Sequence, residues 1–171
     1  MVLRELRRKW TFEKERSKFH SLIWSGRIGS SPVKLIAPQT YMNRSGLAVA
    51  EVAGFYKLPI SSLLVVMDDM ALLTGRIRAR AQGSAGGHNS LADILRALST
   101  LDLARLRVGI GACPPYMDAA DYVLSRFDKR EEPSVAAAIA RAVQAVADWT
   151  AHGITYVMDR YNQDATDVGD P

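Results

Sequence analysis

Three polar clusters in the 171-residue sequence contain side chains suited to hydrolysis or ligand binding. The first cluster spans residues 39–46, where Tyr41, Met42 and Asn43 precede an apolar stretch. The amide of Asn43 has both a donor and an acceptor, so it is able to orient a ligand. An asparagine at this place is equally able to cap the helix that follows by accepting backbone N–H groups. The residue types leave both interpretations open.

The second cluster is the pair of acids Asp68 and Asp69, directly after the apolar run at residues 63–67. Acids at a strand end form a solvated turn, a metal site or a catalytic carboxylate, and a hydrolase uses such a carboxylate to orient a histidine base. Because adjacent side chains of a strand point to opposite faces, Asp69 is expected to face solvent if Asp68 faces a site.

The third cluster is Gly-Gly-His-Asn-Ser-Leu at residues 86–91, which include His88 and Asn89. Glycines allow a ligand to approach the backbone closely, and the helix N-terminus that follows attracts anions. The alternative is an ordinary glycine loop in which Asn89 or Ser90 caps the helix. The glycine spacing fits neither a P-loop nor the dinucleotide-binding fingerprint.

The elements that must position these clusters follow from hydrophobic periodicity. Strands are predicted at residues 22–28, 33–37, 63–67, 75–81 and 106–110, and helices at residues 3–9, 45–56, 91–98 and 135–149. On the second helix, Leu47, Ala50 and either Ala53 or Gly54 are expected to face inward. The strand at 63–67 is expected to be buried on both faces, and Gly153 to end the last helix.

Strands that alternate with helices predict an α/β fold, a three-layer sandwich in which helices flank a mixed, twisted sheet. We expect a single domain over residues 1–163 and a disordered acidic tail over residues 164–171. In such folds ligands collect beyond the carboxyl ends of the strands, where Asp68 and Asp69 lie.

The charge distribution suits a partner that carries phosphate. The net charge is +4, and Arg76, Arg78 and Arg80 alternate along one predicted strand, a pattern that Arg105 and Arg107 repeat. A single cysteine rules out an internal disulfide, which fits the cytoplasm. No apolar run has the length of a membrane span.

In this order, the motifs resemble the bacterial peptidyl-tRNA hydrolase family. The motifs are Tyr-Met-Asn-x-Ser-Gly at 41–46, the apolar strand into Asp68-Asp69, Gly-Gly-His-Asn-Ser-Leu at 86–91, and Arg-Leu-Arg-Val-Gly-Ile-Gly at 105–111. The resemblance extends from about residue 3 to about residue 162. It implies an enzyme that cleaves the ester between a peptide and the 3′-terminal ribose of tRNA, without a metal or cofactor, and that is a monomer.

The resemblance also implies roles for individual residues. Asp68 corresponds to the carboxylate that supports a histidine base, and Asn43 and Asn89 to amides that hold the peptide, the water or the developing oxyanion. The other residues expected to bind substrate or tRNA are Tyr41, Met42, Gly86, Gly87, His88, Arg78 and Arg107. The segment at residues 112–122 matches a mobile lid.

The sequence departs from the family in one respect. Family members open with a strand, a Gly-Leu-Gly-Asn-Pro-Gly loop and a Tyr-x-x-Thr-Arg-His-Asn stretch that contains the catalytic histidine, and this sequence contains neither motif. We therefore expect an N-terminally incomplete fold, and self-association through exposed strand edges. Two alternatives to hydrolysis of this type are a tRNA- or RNA-binding protein without activity and a hydrolase in which His88 pairs with Asp68.

Overall fold

The computed structural model describes residues 1–163, without the side chain of Met42, and its elements confirm the predicted α/β class. The predicted acidic tail lies outside the described residues. The elements in chain order are α1 (Val2–Lys9), β1 (Arg16–Lys18), β2 (Ser21–Ile28), β3 (Ser31–Pro38), α2 (Ser45–Tyr56), β4 (Leu64–Asp69), β5 (Ile77–Arg80), α3 (Asn89–Ala97), β6 (Ala104–Gly109), α4 (Ala119–Leu124) and α5 (Glu132–Tyr161). Within the described residues, no helix is both long enough and apolar enough to cross a membrane.

The backbone divides into two compact units, each built from separate stretches of chain. Within the described residues, unit 1 contains Met1–Glu5, Val66–Arg80 and residues 106–163, and unit 2 contains Leu6–Val65 and Ala81–Arg105. Unit 2 therefore carries two of the polar clusters, those with Asn43 and Asn89. Unit 1 carries the third, with Asp68.

An antiparallel sheet in unit 2 has the strand order β1-β2-β3. The predicted hairpin of β2 and β3 is confirmed, with Gly29 at a φ of 57° in its two-residue loop. Strand β1 was not predicted. Its turn into β2 consists of Phe19 and His20 with φ values of 53° and 51°, a conformation for which sequence patterns expect glycine or asparagine.

Helix α2 in unit 2 has the predicted bounds, and its buried face agrees with the predicted one at Ala53 but not at Leu47. Gly46, Ala48, Val52 and Ala53 are among its buried residues, whereas Leu47 is 47% exposed, so the prediction that Leu47 faces inward is wrong. A Cβ atom at Gly46 would overlap the Asp93 carbonyl oxygen of α3. Close approach of two helices thus selects the face with the smallest side chains.

The second sheet, of order β4-β6-β5, supplies unit 1 with residues 66–69, 106–109 and 77–80. Strand β4 is an edge strand, and Met67 alone of its six residues is buried. The prediction that this apolar run is covered on both faces is therefore wrong. Its composition is that of a central strand, but strand order depends on pairing partners that lie far away in sequence.

Helix α5 in unit 1 continues past the predicted end. Gly153 leaves helical geometry at a φ of 82° and a ψ of −178°, and the helix then resumes as far as Tyr161. The hydroxyl of Tyr161 donates to Asp148 Oδ2 over 2.7 Å, which joins the two segments across the break.

The residue after α5 completes the sheet edge in unit 1. Asn162 Oδ1 accepts the N–H of Ala79 over 2.7 Å, and Asn162 Nδ2 donates to the carbonyl of Ala79 over 2.9 Å. One amide side chain thus forms hydrogen bonds with both the N–H and the C=O of Ala79, a buried residue of β5, as a neighbouring strand would.

Candidate active site

The Asn43 turn in unit 2 is a short 3-10 helix, Met42–Arg44, that leads directly into α2. Tyr41 is 82% exposed and Asn43 is exposed. Neither the 3-10 turn nor α2 has a side-chain hydrogen bond at its N-cap. The interpretation of Asn43 as a helix cap is therefore wrong, and its amide group faces outward without that role.

Asp93 of α3 satisfies the first turn of α2 instead. Its Oδ2 accepts the backbone N–H of Gly46 over 2.7 Å, and its Oδ1 accepts from Arg96 Nη2. The carboxylate is buried, and the bond joins residues 47 positions apart. A buried charge–amide hydrogen bond of this kind is stronger than a neutral one, so it fixes the Asn43 turn to α3.

The glycine loop of unit 2 ends at the start of α3. Gly86 and Gly87 are exposed and have φ values of 55° and 83°. His88 is the N-cap of α3, and its Nδ1 accepts the backbone N–H of Leu91 over 3.2 Å. The predicted capping role of Asn89 or Ser90 is therefore wrong, and Asn89 is exposed on the first turn.

The same hydrogen bond fixes the chemistry of His88. Because Nδ1 is an acceptor, the neutral imidazole carries its proton on Nε2. A general base needs a lone pair directed at the proton that it removes. This geometry therefore disfavours the alternative in which His88 is the base.

In unit 2 the 3-10 turn that contains Asn43 contacts α3, the helix that begins at Asn89. Helix α2 packs along the same helix. The predicted site residues that lie in unit 2 are Tyr41, Met42, Asn43, Gly86, Gly87, His88 and Asn89. Asn43 and Asn89 are both exposed, and so are the glycines at positions 86 and 87, which leave the backbone there open to a ligand.

Asp68 lies on β4 in unit 1, half-buried at the wall of a cavity of about 460 Å³. Most of the wall is apolar, and Tyr122, Arg126 and Glu131 add polar groups. The apolar side chains of unit 1 at this cavity include Val2, Leu3, Val66, Val108, Val135 and Ile139. A carboxylate in such surroundings interacts more strongly with a nearby cation or imidazolium than it would in water.

Asp69 and Arg107 form an ion pair within unit 1. Arg107 Nε donates to Asp69 Oδ2, and the two side chains are 20% and 11% exposed, respectively. The prediction that Asp69 faces solvent is therefore wrong. Arg78 is half-buried between the buried residues Ile77 and Ala79, which confirms the predicted alternation along β5.

The predicted lid at residues 112–122 is tied to unit 1 at its far end. Asp118 caps α4 by accepting the N–H of Ala120 over 2.8 Å. The hydroxyl of Tyr122 donates to the carbonyl of Ile110 over 2.6 Å. Burial, together with the charges of Glu131 and Cys113, raises the pKa of Tyr122, so this hydroxyl keeps its proton. The mobility of the segment stays a prediction.

Sequence patterns missed two residues that shape the site. Asp93 is an acid inside the apolar stripe of α3, beside Leu91, Ile94 and Leu95, and that placement was an available signal of a buried partner. Arg105 belongs to the arginine alternation that suits a phosphate-bearing partner, but it is 2% exposed and is therefore not available to such a partner. Ala104 and Leu106, the neighbours of Arg105 in the strand, are apolar, and their types do not indicate that the side chain between them is buried as well.

Comparison with known proteins agrees with the resemblance. The family model described as peptidyl-tRNA hydrolase matches residues 1–168. The peptidyl-tRNA hydrolase of Rhodopirellula baltica is 43% identical over 95% of this chain and 85% of its own, and that of Chloroflexus aggregans is 46% identical over 89% and 80%. The crystal structure of the Acinetobacter baumannii peptidyl-tRNA hydrolase matches with a TM-score of 0.86 at 29% identity, over 95% of this chain and 83% of that one. This chain therefore belongs to the peptidyl-tRNA hydrolase family.

Proposed function

We propose that this protein hydrolyses the ester bond of peptidyl-tRNA in the cytoplasm and releases the peptide and the tRNA. One observation carries the proposal: Asn43 and Asn89 are both exposed, and neither caps the helix beside it. Asp93 and His88 satisfy those helix termini instead. The two amides are thus left to face a ligand.

In this proposal the two asparagines bind the reacting end of the substrate. An amide Nδ2 group donates to the peptide carbonyl or to the oxyanion that forms during attack, and an amide Oδ1 accepts from a peptide N–H or from the attacking water. The exposed ring of Tyr41 offers a stacking surface for the terminal base. The other residues proposed to bind the substrate here are Met42, Gly86, Gly87 and His88.

The water-activating base is a histidine in this proposal, and Asp68 supports its basic form as the carboxylate of a triad does. Each of the three histidines of the chain is otherwise engaged: His88 caps α3, His20 pairs with Glu51, and His152 stacks on Tyr156. None stands in the Arg-His-Asn motif of the family resemblance. The proposal therefore assigns hydrolysis to the chain supplied with that motif, and no metal takes part.

Arg78 and Arg107 are proposed to bind phosphates of the tRNA. Arg107 already pairs with Asp69 in unit 1, so a phosphate must compete with that carboxylate or share the guanidinium with it. Contacts with phosphate release counterions, so tRNA affinity should fall steeply as salt rises. Replacement of either arginine should reduce that salt dependence.

The test is hydrolysis of an N-acetylated aminoacyl-tRNA by this chain and by the chain extended with the Gly-Leu-Gly-Asn-Pro-Gly and Arg-His-Asn segments. We expect the extended chain to cleave, and Asn43→Ala or Asn89→Ala to lower its kcat about 100- to 1,000-fold, the usual effect of losing one oxyanion donor. Gln82→Ala removes an exposed amide from the start of the glycine loop and serves as the matched control.

Other outcomes would contradict the proposal in distinct ways. Salt-dependent tRNA binding by both forms with cleavage by neither would indicate the non-hydrolytic RNA-binding protein. Cleavage by the unextended chain that His88→Ala abolishes would indicate the mechanism in which His88 pairs with Asp68.

A further inference from the structure

We propose that Arg105 is a positioning residue, whose buried guanidinium fixes the glycine loop at residues 83–87 and thereby places Asn89 for the reaction. The effect on catalysis rests on the proposed function, whereas the anchoring of the loop by Arg105 does not. Arg105 lies in β6 with 2% of its surface exposed, and it is the largest of the fully buried side chains among the described residues. A side chain this inaccessible does not reach a phosphate at the surface.

The guanidinium donates to four backbone carbonyls in unit 2. Its Nη1 donates to Gly83 over 2.8 Å and to Ser84 over 2.7 Å, where the glycine loop begins. Its Nη2 donates to Leu101 over 3.3 Å and its Nε to Leu103 over 3.1 Å. One side chain therefore links the loop to the segment that leads into β6.

The backbone of the loop reinforces this link. The N–H of Gly83 donates over 3.0 Å to the carbonyl of Leu101, which also accepts from Arg105 Nη2. Gly83, the guanidinium and Leu101 thus form a closed ring of hydrogen bonds. The ring fixes the first residue of the loop, and the cap formed by His88 fixes the first turn of α3, which contains Asn89.

The loop needs such an anchor because of its glycines. Gly83, Gly86 and Gly87 all have positive φ values, and glycine loses more conformational freedom on folding than any other residue. Two fixed carbonyls at the start of the loop restrict the paths by which the chain reaches His88 and Asn89. Since a displacement of about 1 Å in a reacting group lowers turnover about 100-fold, the anchor bears directly on catalysis.

The geometry requires arginine in particular. The guanidinium is a rigid planar fork with five N–H donors, and all three of its nitrogens donate here to backbone carbonyls. A lysine ammonium has three donors on a flexible stem and is not able to reach both the loop and Leu103 in this way. Arg105→Lys is therefore not a conservative change at this position.

The experiment has a readout that does not depend on activity. In this chain, Arg105→Lys should speed the exchange of amide hydrogens at residues 83–88 at least tenfold, while the amides of β2 and β3 exchange as before. Arg16→Lys, an exposed arginine in β1 of the same unit, is the matched control and should change neither region. Unchanged exchange at residues 83–88 would overturn the proposal.

The catalytic part is tested in whichever form of the protein hydrolyses peptidyl-tRNA. Arg105→Lys should lower kcat about 10- to 100-fold with KM for tRNA unchanged, and in an Asn89→Ala background it should have little further effect, because the two act as one unit. If Arg105→Lys kept full kcat, or if it lowered kcat by the same factor in the Asn89→Ala background as in the parent, Arg105 would have a structural role only. A raised KM with a weaker salt dependence would show a phosphate ligand instead.

Two further measurements cover the remaining cases. Arg105→Gln, which removes the buried charge but keeps an amide donor, decides the matter by the same readouts if the lysine variant does not fold. If no form hydrolyses peptidyl-tRNA, the side-chain amide resonances of Asn89 decide it. We expect them to shift and broaden in Arg105→Lys, and identical resonances would overturn the proposal.

Discussion

Asn43 and Asn89 stand beside helix N-termini, where asparagine ordinarily accepts backbone N–H groups. The sequence motif could locate both residues, but it could not show that other side chains satisfy those termini. The acceptor for the Gly46 N–H comes from Asp93, 47 positions away, and that for the Leu91 N–H comes from the His88 ring. Competition between acceptors from distant parts of the chain therefore decides which polar residues remain for a ligand.

Gly46 is a direct test of the contact that joins α2 to α3. A Cβ atom there would overlap the Asp93 carbonyl oxygen and lie 2.8 Å from Ala97 Cβ, so Gly46→Ala must push the helices apart. We expect a loss of about 1–3 kcal/mol in the free energy of unfolding, the usual range for overpacking, measured by urea denaturation.

Gly54→Ala is the control for this change on the same helix. Nothing lies within 4 Å of a Cβ atom at Gly54, and alanine is favoured over glycine inside a helix by about 0.5–1 kcal/mol. We therefore expect Gly54→Ala to stabilise the protein. Equal effects of the two substitutions would mean that helix propensity, not the contact with α3, sets the requirement at position 46.

At the scale of whole elements, periodicity could locate the principal helices and the hairpin, because an apolar stripe repeats along each. It could not find β1, whose three residues are all exposed and whose turn contains neither glycine nor asparagine. It also ended α5 at Gly153, since glycine is the commonest residue just after a helix. The helix resumes there because Val157 and Tyr161 bury side chains beyond the break.

The bond across that break gives a prediction about alkaline pH. Burial, together with the hydrogen bond to Asp148, raises the pKa of Tyr161 from its ordinary value of 10.0 to about 12. In the unfolded chain the hydroxyl loses its proton near pH 10, whereas in the folded chain it keeps it. Its contribution to stability is therefore complete below pH 10 and is lost as pH rises from 10 to about 12.

Tyr161→Phe should remove this contribution. Denaturant unfolding at pH 8 should show a loss of about 1 kcal/mol, the ordinary net value of one hydrogen bond. Between pH 10 and pH 12 the variant should lose less stability than the parent chain does. Tyr116→Phe, a change at a tyrosine that is 85% exposed, should follow the parent chain, and a parallel decline in all three proteins would refute the assignment.

For the whole molecule, the sequence could predict the α/β class and the succession of elements, but not how strands share sheets. The apolar run of β4 indicates a central strand, yet β4 lies at a sheet edge, and β6 is the middle strand. Strand order follows from contacts between residues distant along the chain, and composition does not encode them. The predicted self-association through exposed strand edges stays a prediction, and light scattering at several concentrations tests it.

The opposite edge of that sheet depends on Asn162. Asn162→Ala leaves the N–H and C=O of Ala79 without their partner, and Ala79 is fully buried, so we expect a loss of about 1–3 kcal/mol in the free energy of unfolding. Light scattering should also show more aggregation, because β5 then presents free backbone groups. Gln163→Ala, at the exposed neighbouring amide, should behave as the parent chain, and an unaffected Asn162→Ala variant would show that water replaces the amide.

The position of Asn162 also has a consequence for synthesis on the ribosome. Strand β5 is complete once Arg80 has been added, but Asn162, whose amide pairs with Ala79, comes 83 residues after Ala79. A nascent chain therefore carries an unpaired strand edge until those 83 residues have been added, and partly made proteins aggregate on surfaces of this kind. Chains that stall before residue 162 should need a chaperone, even though every strand of the sheet has already been made.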